Sequence, residues 1–157
     1  MIKVTRSPEL EDYAREGRRR FEAADSGWFE ETTAFGDVGS FGTAPEEQAR
    51  GRDNVLALTI EQIREMNEAA GLAIAATDDD HEDEDVIEAY QAGDAGWIVT
   101  HGRFTFEDGS WVANRIVNVV VRDPEDGGWK SVLTTSQLLV PNELLEDGSP
   151  LRSAAGT

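Results

Sequence analysis

Residues 86–139 read VIEAYQAGDAGWIVTHGRFTFEDGSWVANRIVNVVVRDPEDGGWKSVLTTSQLL. The stretches VIEAYQ, GWIVTHGRFTF, SWVANRIVNVVV and GWKSVLTTSQLL are rich in β-branched and aromatic residues, and AGDA, EDG and RDPEDG between them are turn chemistry. The pattern predicts an antiparallel meander. Successive side chains on a strand point to opposite faces, so His101 shares a face with Trp97, Val99, Arg103 and Thr105, while Ile98, Phe104 and Phe106 line the other. Alternation does not say which face is inside. Apolar residues stand on both, Val117, Val119 and Val121 on one and Ile116 and Val120 on the other, more than a single helical layer needs. A homodimer built on the exposed face of the sheet is therefore expected.

Upstream of the strands the apolar period is helical. Ser7 caps a first helix with Pro8 at its first position, and Leu10, Tyr13, Ala14, Gly17, Phe21 and Ala24 form its apolar face. Arg18, Arg19 and Arg20 lie among Glu9, Glu11, Asp12, Glu16 and Glu22, which predicts a solvated, salt-bridged surface rather than an anion site. DSGWFEE then turns the chain, and a short helix or loop leads to SFGTAPEEQARGRDNV at 40–55. Gly51 tolerates a backbone conformation that other residues avoid, and Asp53 can accept from the free amides of the next turn. Val55, Leu56, Thr59, Ile60, Ile63 and Met66 then recur at helical spacing toward Ala70, where Gly71 breaks the pattern. Arg52 is expected to pin this turn to a nearby carboxylate. Helices first and strands afterwards give an α+β domain whose helices cover one face of a bent sheet. Residues 1–150 read as a single domain and 151–157 as a frayed tail.

Composition narrows the function. The 157 residues suffice for one sizeable core. No cysteine is present, which removes disulfide frameworks, thiolate nucleophiles and zinc–thiolate sites. No apolar run reaches membrane-spanning length and no secretory pattern opens the chain, so a cytoplasmic location is expected. Asp and Glu total 32 against 14 Lys and Arg, a formal net charge of −18. Nucleic acid and anionic membrane surfaces are disfavoured as partners, and a salt-rich cytoplasm would suit such a surface. The run Asp78 to Asp85 lacks the glycine and the spaced terminal glutamate of a calcium loop, so it reads as a solvated loop and no metal is expected. GDVGSFG lacks the Gly-Lys-Ser/Thr of a phosphate-binding loop, and no Ser-His-Asp order is present. No cofactor is called for.

Four pieces in order, RFEAADSGWFEE, FGTAPEEQARGRDNV, GDAGWIVTHGRFTFEDG and NRIVNVVVRDPEDGGWKSV running into VPNE, carry a resemblance. From about Ser7 to Glu143 the chain resembles the SnoaL-like branch of the nuclear transport factor 2-like, or ketosteroid isomerase-like, superfamily. The resemblance implies a cone-shaped, strongly curved antiparallel sheet wrapped by N-terminal helices around one apolar pocket, usually in a homodimer. In such a fold the Gly51–Arg52 pair marks the entry from a first β-segment near Phe41 into the long helix closing the cone.

Enzymes of this superfamily use an Asp or His general base to take a proton alpha to a carbonyl, beside an oxyanion donor. His101 is the best such base here if its face lines the pocket. Related sequences carry a His-x-Ser pair before Val-Pro-Asn-Glu, where this chain has Thr135 and Gln137; neither titrates near neutrality, although both can hydrogen-bond a ligand. Arg115 matches an arginine typical of the resemblance and needs a carboxylate from the protein or from a ligand. Trp28, Trp97 and Tyr90 are core or interface residues or, alternatively, ligand platforms. The leading reading is a domain that binds a small hydrophobic carbonyl or carboxylate compound between helices and sheet. The alternative is an isomerase, cyclase or hydratase with His101 as base and Tyr90 or Arg115 steadying the oxyanion. A dimerisation or sensory module is the third.

Overall fold

The computed structural model describes residues 1–73, 86–105 and 108–141. The acidic run Asp78 to Asp85 and the tail from 151 lie outside the described residues. The elements in chain order are β1 (Thr5–Arg6), α1 (Pro8–Glu22), α2 (Ser26–Thr32), β2 (Gly39–Phe41), β3 (Gln48–Arg50), α3 (Arg52–Ala73), β4 (Val86–Ala92), β5 (Ala95–Thr105), β6 (Trp111–Arg122) and β7 (Trp129–Leu139). The strands form one sheet in the order β1-β4-β5-β6-β7-β2-β3. The meander β4 to β7 is antiparallel throughout, but β2 joins β7 in parallel, so the sheet is mixed rather than antiparallel. Chain entering from the helical side supplies that crossover, and no alternation pattern in three residues announces it.

Local chemistry sets the helix ends. Ser7 Oγ accepts from the Leu10 amide at 3.3 Å, with Pro8 opening the helix and Glu9, Glu11 at its positive end and Arg19, Arg20 at its negative end. Asp25 caps α2 by accepting from the Trp28 amide at 3.3 Å. Gly51 takes φ 82°, and its amide reaches Val38 O at 2.9 Å before α3 begins. Asp53 sits within the first turn of α3 rather than at its cap. The β4–β5 hairpin closes through Gly93 at φ 62° and Asp94, a two-residue loop whose positive first angle suits the sheet's twist. On α1, Arg15 pairs with Asp12, Arg18 with Glu22, Arg19 with Glu16 and Arg20 with both Glu16 and Asp25. All these pairs face solvent and contribute little to stability.

The core sits between α1 and the first turns of the meander. Leu10, Ala89, Ile98, Val120 and Trp129 are buried together, with Tyr13, Ala14 and Ile87 packed against them. Gly96 lets α1 approach this closely: a Cβ there would lie 2.4 Å from Leu10 Cδ1 and 2.8 Å from Tyr90 O. Burial pushes the Tyr13 phenol up to about 12, against a weaker downward pull from Thr32. Trp28 wedges between α1 and α2, its ring 5.4 Å from Tyr13 and its edge against the position of Gly17. α3 packs on α1, α2, β2 and β3. No helix among the described residues is long and apolar enough to cross a membrane.

Candidate functional site

The core fixes which strand face is inside. Ala89, Gly96, Ile98 and Val120 turn toward α1, so the alternate residues of the same strands, Glu88, Tyr90, Trp97, Val99, His101, Arg115, Val117 and Val119, turn away from the helices. Cross-strand register then gathers nearly all the sequence candidates on this outer face. Tyr90 lies opposite Trp97, His101 opposite Arg115, Arg115 opposite Gln137, and Thr135 opposite both Val117 and Phe41. Trp28 alone stands apart, on the helical side.

Glu88 organises the outer face. One carboxylate oxygen accepts from Tyr90 Oη at 3.1 Å, and the other is 2.9 Å from His101 Nε2. The hydrogen bond from His101, followed by that from Tyr90, holds the Glu88 carboxyl below the usual carboxylate range. Arg6 reaches Glu88 at 3.8 Å and lies over the Tyr90 ring at 5.4 Å, while Tyr90 stacks on Trp97 at 5.7 Å. The His101 side chain remains 38% exposed. Arg115 donates through Nε and Nη2 to Gln137 Oε1 at 3.1 and 2.7 Å. Its partner is thus a neutral amide, and no described carboxylate meets it. Sequence reasoning missed Glu88, yet it left a signal: among the described residues it is the one carboxylate within a strand, in a chain holding 32 acidic residues.

The inner face is chemically different. Asn118 Nδ2 donates to Ser131 Oγ at 2.7 Å, Thr134 Oγ1 at 2.8 Å and Leu133 O at 3.3 Å, beside a bulge where the β6–β7 register shifts between Val119 and Val120. By register Thr100, Asn114, Ile116 and Ser136 share this face. The titratable strand residue on it is Arg122, which is held by Glu9 at 3.2 Å and lies over the Trp129 ring. Among the described residues the inner strand face therefore offers no group suited to take a proton near neutral pH.

Among the described residues, hollows lie on the helical side. A cleft of about 530 Å³ between the α1–α2 turn and α3 is lined by Ala24, Ser26, Ile60, Ile63, Arg64, Asn67 and Glu68. Ala24 takes φ 56° there. A smaller one of about 300 Å³ is formed by Phe35 and the start of α3 from Gly51 to Asn54. Beside it, Arg52 Nη2 donates to Glu30 O at 2.7 Å, with the guanidinium 4.4 Å from the Phe35 ring. The expected carboxylate partner of Arg52 is replaced by a main-chain carbonyl of α2, and its Nε is buried without a hydrogen-bond partner. None of the candidates from the sequence lines either hollow.

The fold superposes on those of solved bacterial proteins. A cystatin-like fold protein from Burkholderia xenovorans superposes with a TM-score of 0.58 at 16% identity, covering 90% of this chain and 99% of that one. An uncharacterized protein with a cystatin-like fold from Caulobacter vibrioides gives 0.56 at 15% identity, covering 88% and 93%. A nuclear transport factor 2-like protein of unknown function from Pseudomonas putida gives 0.54 at 15%, with the same coverage of 88% and 93%. The chain thus has the α+β nuclear transport factor 2-like, or cystatin-like, fold. No protein-family model and no curated protein matches it.

Proposed function

We propose that this chain is a cytoplasmic small-molecule-binding domain of the SnoaL-like kind. The observation that carries the reading is the cleft of about 530 Å³ beside α3, a size typical of ligand sites, roughly 300–1,000 Å³. Ile60, Ile63 and Ala24 make its apolar floor, and Ser26, Asn67 and Arg64 supply polar groups around it. Arg64 is already paired with Glu61 and Glu68, so a neutral carbonyl compound suits the cleft better than a carboxylate. On this reading the ligand lies against α3 rather than against the strand candidates. The test is a thermal-shift panel of cyclic ketones and matching carboxylates on the wild type and on Ile60→Trp, which fills the cleft from a half-exposed position. A ketone present at about 100 times its Kd adds about 2.7 kcal/mol of stability, a rise of roughly 5–10 °C. The reading fails if nothing raises the melting temperature, or if Ile60→Trp keeps the full rise.

The second element of the proposal is a homodimer through the outer sheet face. Val99, Val117, Val119 and Leu133 line up there by register, on the side turned away from the helices among the described residues. Such an apolar sheet face needs a cover. Sedimentation at micromolar concentration tests it, with a monomer refuting it.

The Glu88–His101 contact supports an enzyme as the second reading, because a carboxylate bound to Nε2 leaves Nδ1 as a proton acceptor when His101 is neutral. Turnover of a small carbonyl compound that collapses in His101→Ala is its signature. A dimer that buries His101 excludes it.

A further inference from the structure

The outer face poses an electrostatic problem. Two chains of net charge −18 repel at long range, so self-association must use a surface where the local charge is not negative. The outer face is that surface. Among the described residues its strand positions carry Arg6, Arg50, Arg115 and His101, with Arg103 over the Trp111 ring, against one carboxylate, Glu88. Arg6 is matched within the chain by Glu11 at 2.5 Å, and Arg50 lies over the Phe41 ring at 5.2 Å. Arg115 has the neutral Gln137 amide as its hydrogen-bonding partner. Covering the face would take Arg115 out of water, and a desolvated guanidinium without a counter-charge is costly.

Two identical faces can supply that charge if they meet about a twofold axis, because a contact from residue i to residue j then repeats from j to i. Glu88 is on β4 and Arg115 on β6, with β5 between them. The midpoint lies on β5 near Val99 and His101, which are the register partners of Glu88 and Arg115. A twofold axis lying in the interface over that point, perpendicular to the line from Glu88 to Arg115, sets each Arg115 over the other copy's Glu88. Glu88 has the capacity for it, since each of its oxygens makes one hydrogen bond, with Tyr90 or with His101, Arg6 stands beyond hydrogen-bond distance at 3.8 Å, and a carboxylate oxygen accepts two. Resting on the homodimer reading above, we infer that Arg115 and Glu88 of the two copies form two reciprocal ion pairs across the outer face.

Analytical ultracentrifugation of the full chain at pH 7.5 in 0.15 M salt decides this, comparing wild type, Arg115→Glu, Glu88→Arg and the double exchange. Each single reversal places like charges together twice, and is expected to raise the dimer Kd by about 100-fold or more. The double exchange restores it to within about tenfold of wild type. A wild type that stays monomeric at about 100 μM overturns the homodimer reading and this inference together. A dimeric wild type whose reversals leave Kd unchanged, or whose double exchange stays monomeric, preserves the homodimer and overturns the reciprocal pair. Far-UV circular dichroism checks that the variants fold; should a reversal unfold the chain, Arg115→Gln and Glu88→Gln are read instead, each expected to weaken the dimer about tenfold, with no loss overturning the pair.

Discussion

Replacing Gly96 by Ala tests how α1 is seated on the sheet. The added Cβ would stand 2.4 Å from Leu10 Cδ1 and 2.8 Å from Tyr90 O, both below any normal carbon contact. Leu10 Cδ1 belongs to a side chain that is fully buried, whereas Tyr90 O belongs to strand backbone and cannot withdraw without disturbing the hairpin. Overpacking of this kind costs about 1–3 kcal/mol, and the backbone contact puts Gly96→Ala in the upper part of that range. Leu10→Ala removes a side chain with 0% exposure, so transfer and cavity terms together cost about 3–5 kcal/mol. The two changes are coupled because truncating Leu10 vacates the space the new methyl enters. The double variant should therefore be more stable than the sum of the single losses by about 1 kcal/mol. It should not recover Gly96→Ala fully, since the Tyr90 carbonyl contact persists. Urea unfolding at one fixed protein concentration reads all four proteins, with concentration held constant because a dimer's stability depends on it. Additivity within about 0.3 kcal/mol, or a neutral Gly96→Ala, would refute the proposed packing of Leu10 into the space above Gly96.

Other perturbations follow from the caps and charges. Ser7→Ala removes both the cap to the Leu10 amide and the Oγ contact to Gln91, and should cost about 1–2 kcal/mol in the same urea assay. Glu9 is held below its ordinary 4.5 by Arg122 first and Trp129 second, so its contribution is present above that value and is lost as pH falls through the lower folded one. Glu9→Gln should thus flatten the acid limb of stability against pH, and an unchanged limb would clear Glu9. Tyr13 is raised by burial from 10.0 to about 12, so its contribution is intact below 10 and lost as pH climbs toward 12. Tyr13→Phe should soften that alkaline loss, measured by melting between pH 9 and about 12. Raising potassium chloride from about 0.15 to 1 M shortens the screening distance from about 8 to 3 Å and should raise the melting temperature of this acidic chain. A flat response would refute the proposed salt adaptation. The gain should shrink when Asp78, Asp79, Asp80, Asp83 and Asp85 become Asn.

Much of the architecture was legible along the chain. The turn chemistry at Gly93–Asp94 and at Asp123 to Gly128 marked the meander, and Ser7, Pro8 and Gly51 marked helix starts, because caps and tight turns depend on a few adjacent residues. The charge balance already placed the α1 arginines in surface pairs, since carboxylates lie one turn away. Two short strands escaped notice. β1 spans Thr5–Arg6 and β3 spans Gln48–Arg50, too short to show a period of two, and their backbone bonds come from β4 and β2 far along the chain or across a turn.

Alternation by itself determined that Trp97, His101 and Arg103 would travel together, because neighbouring side chains on a strand must point to opposite sides. It could not choose the side. That choice was made by Leu10 meeting Gly96 and by Ala89, Ile98 and Val120 closing around it, contacts between residues up to 110 positions apart. The sequence likewise determined that Arg115 needed an acceptor, from the cost of leaving a guanidinium unpaired. Only the β6–β7 register decided that this acceptor is the Gln137 amide, and only the β4–β5 register brought Glu88 within reach of His101. Registers are settled by the packing of whole strands, so the chemistry of the outer face exists in no local stretch of the chain.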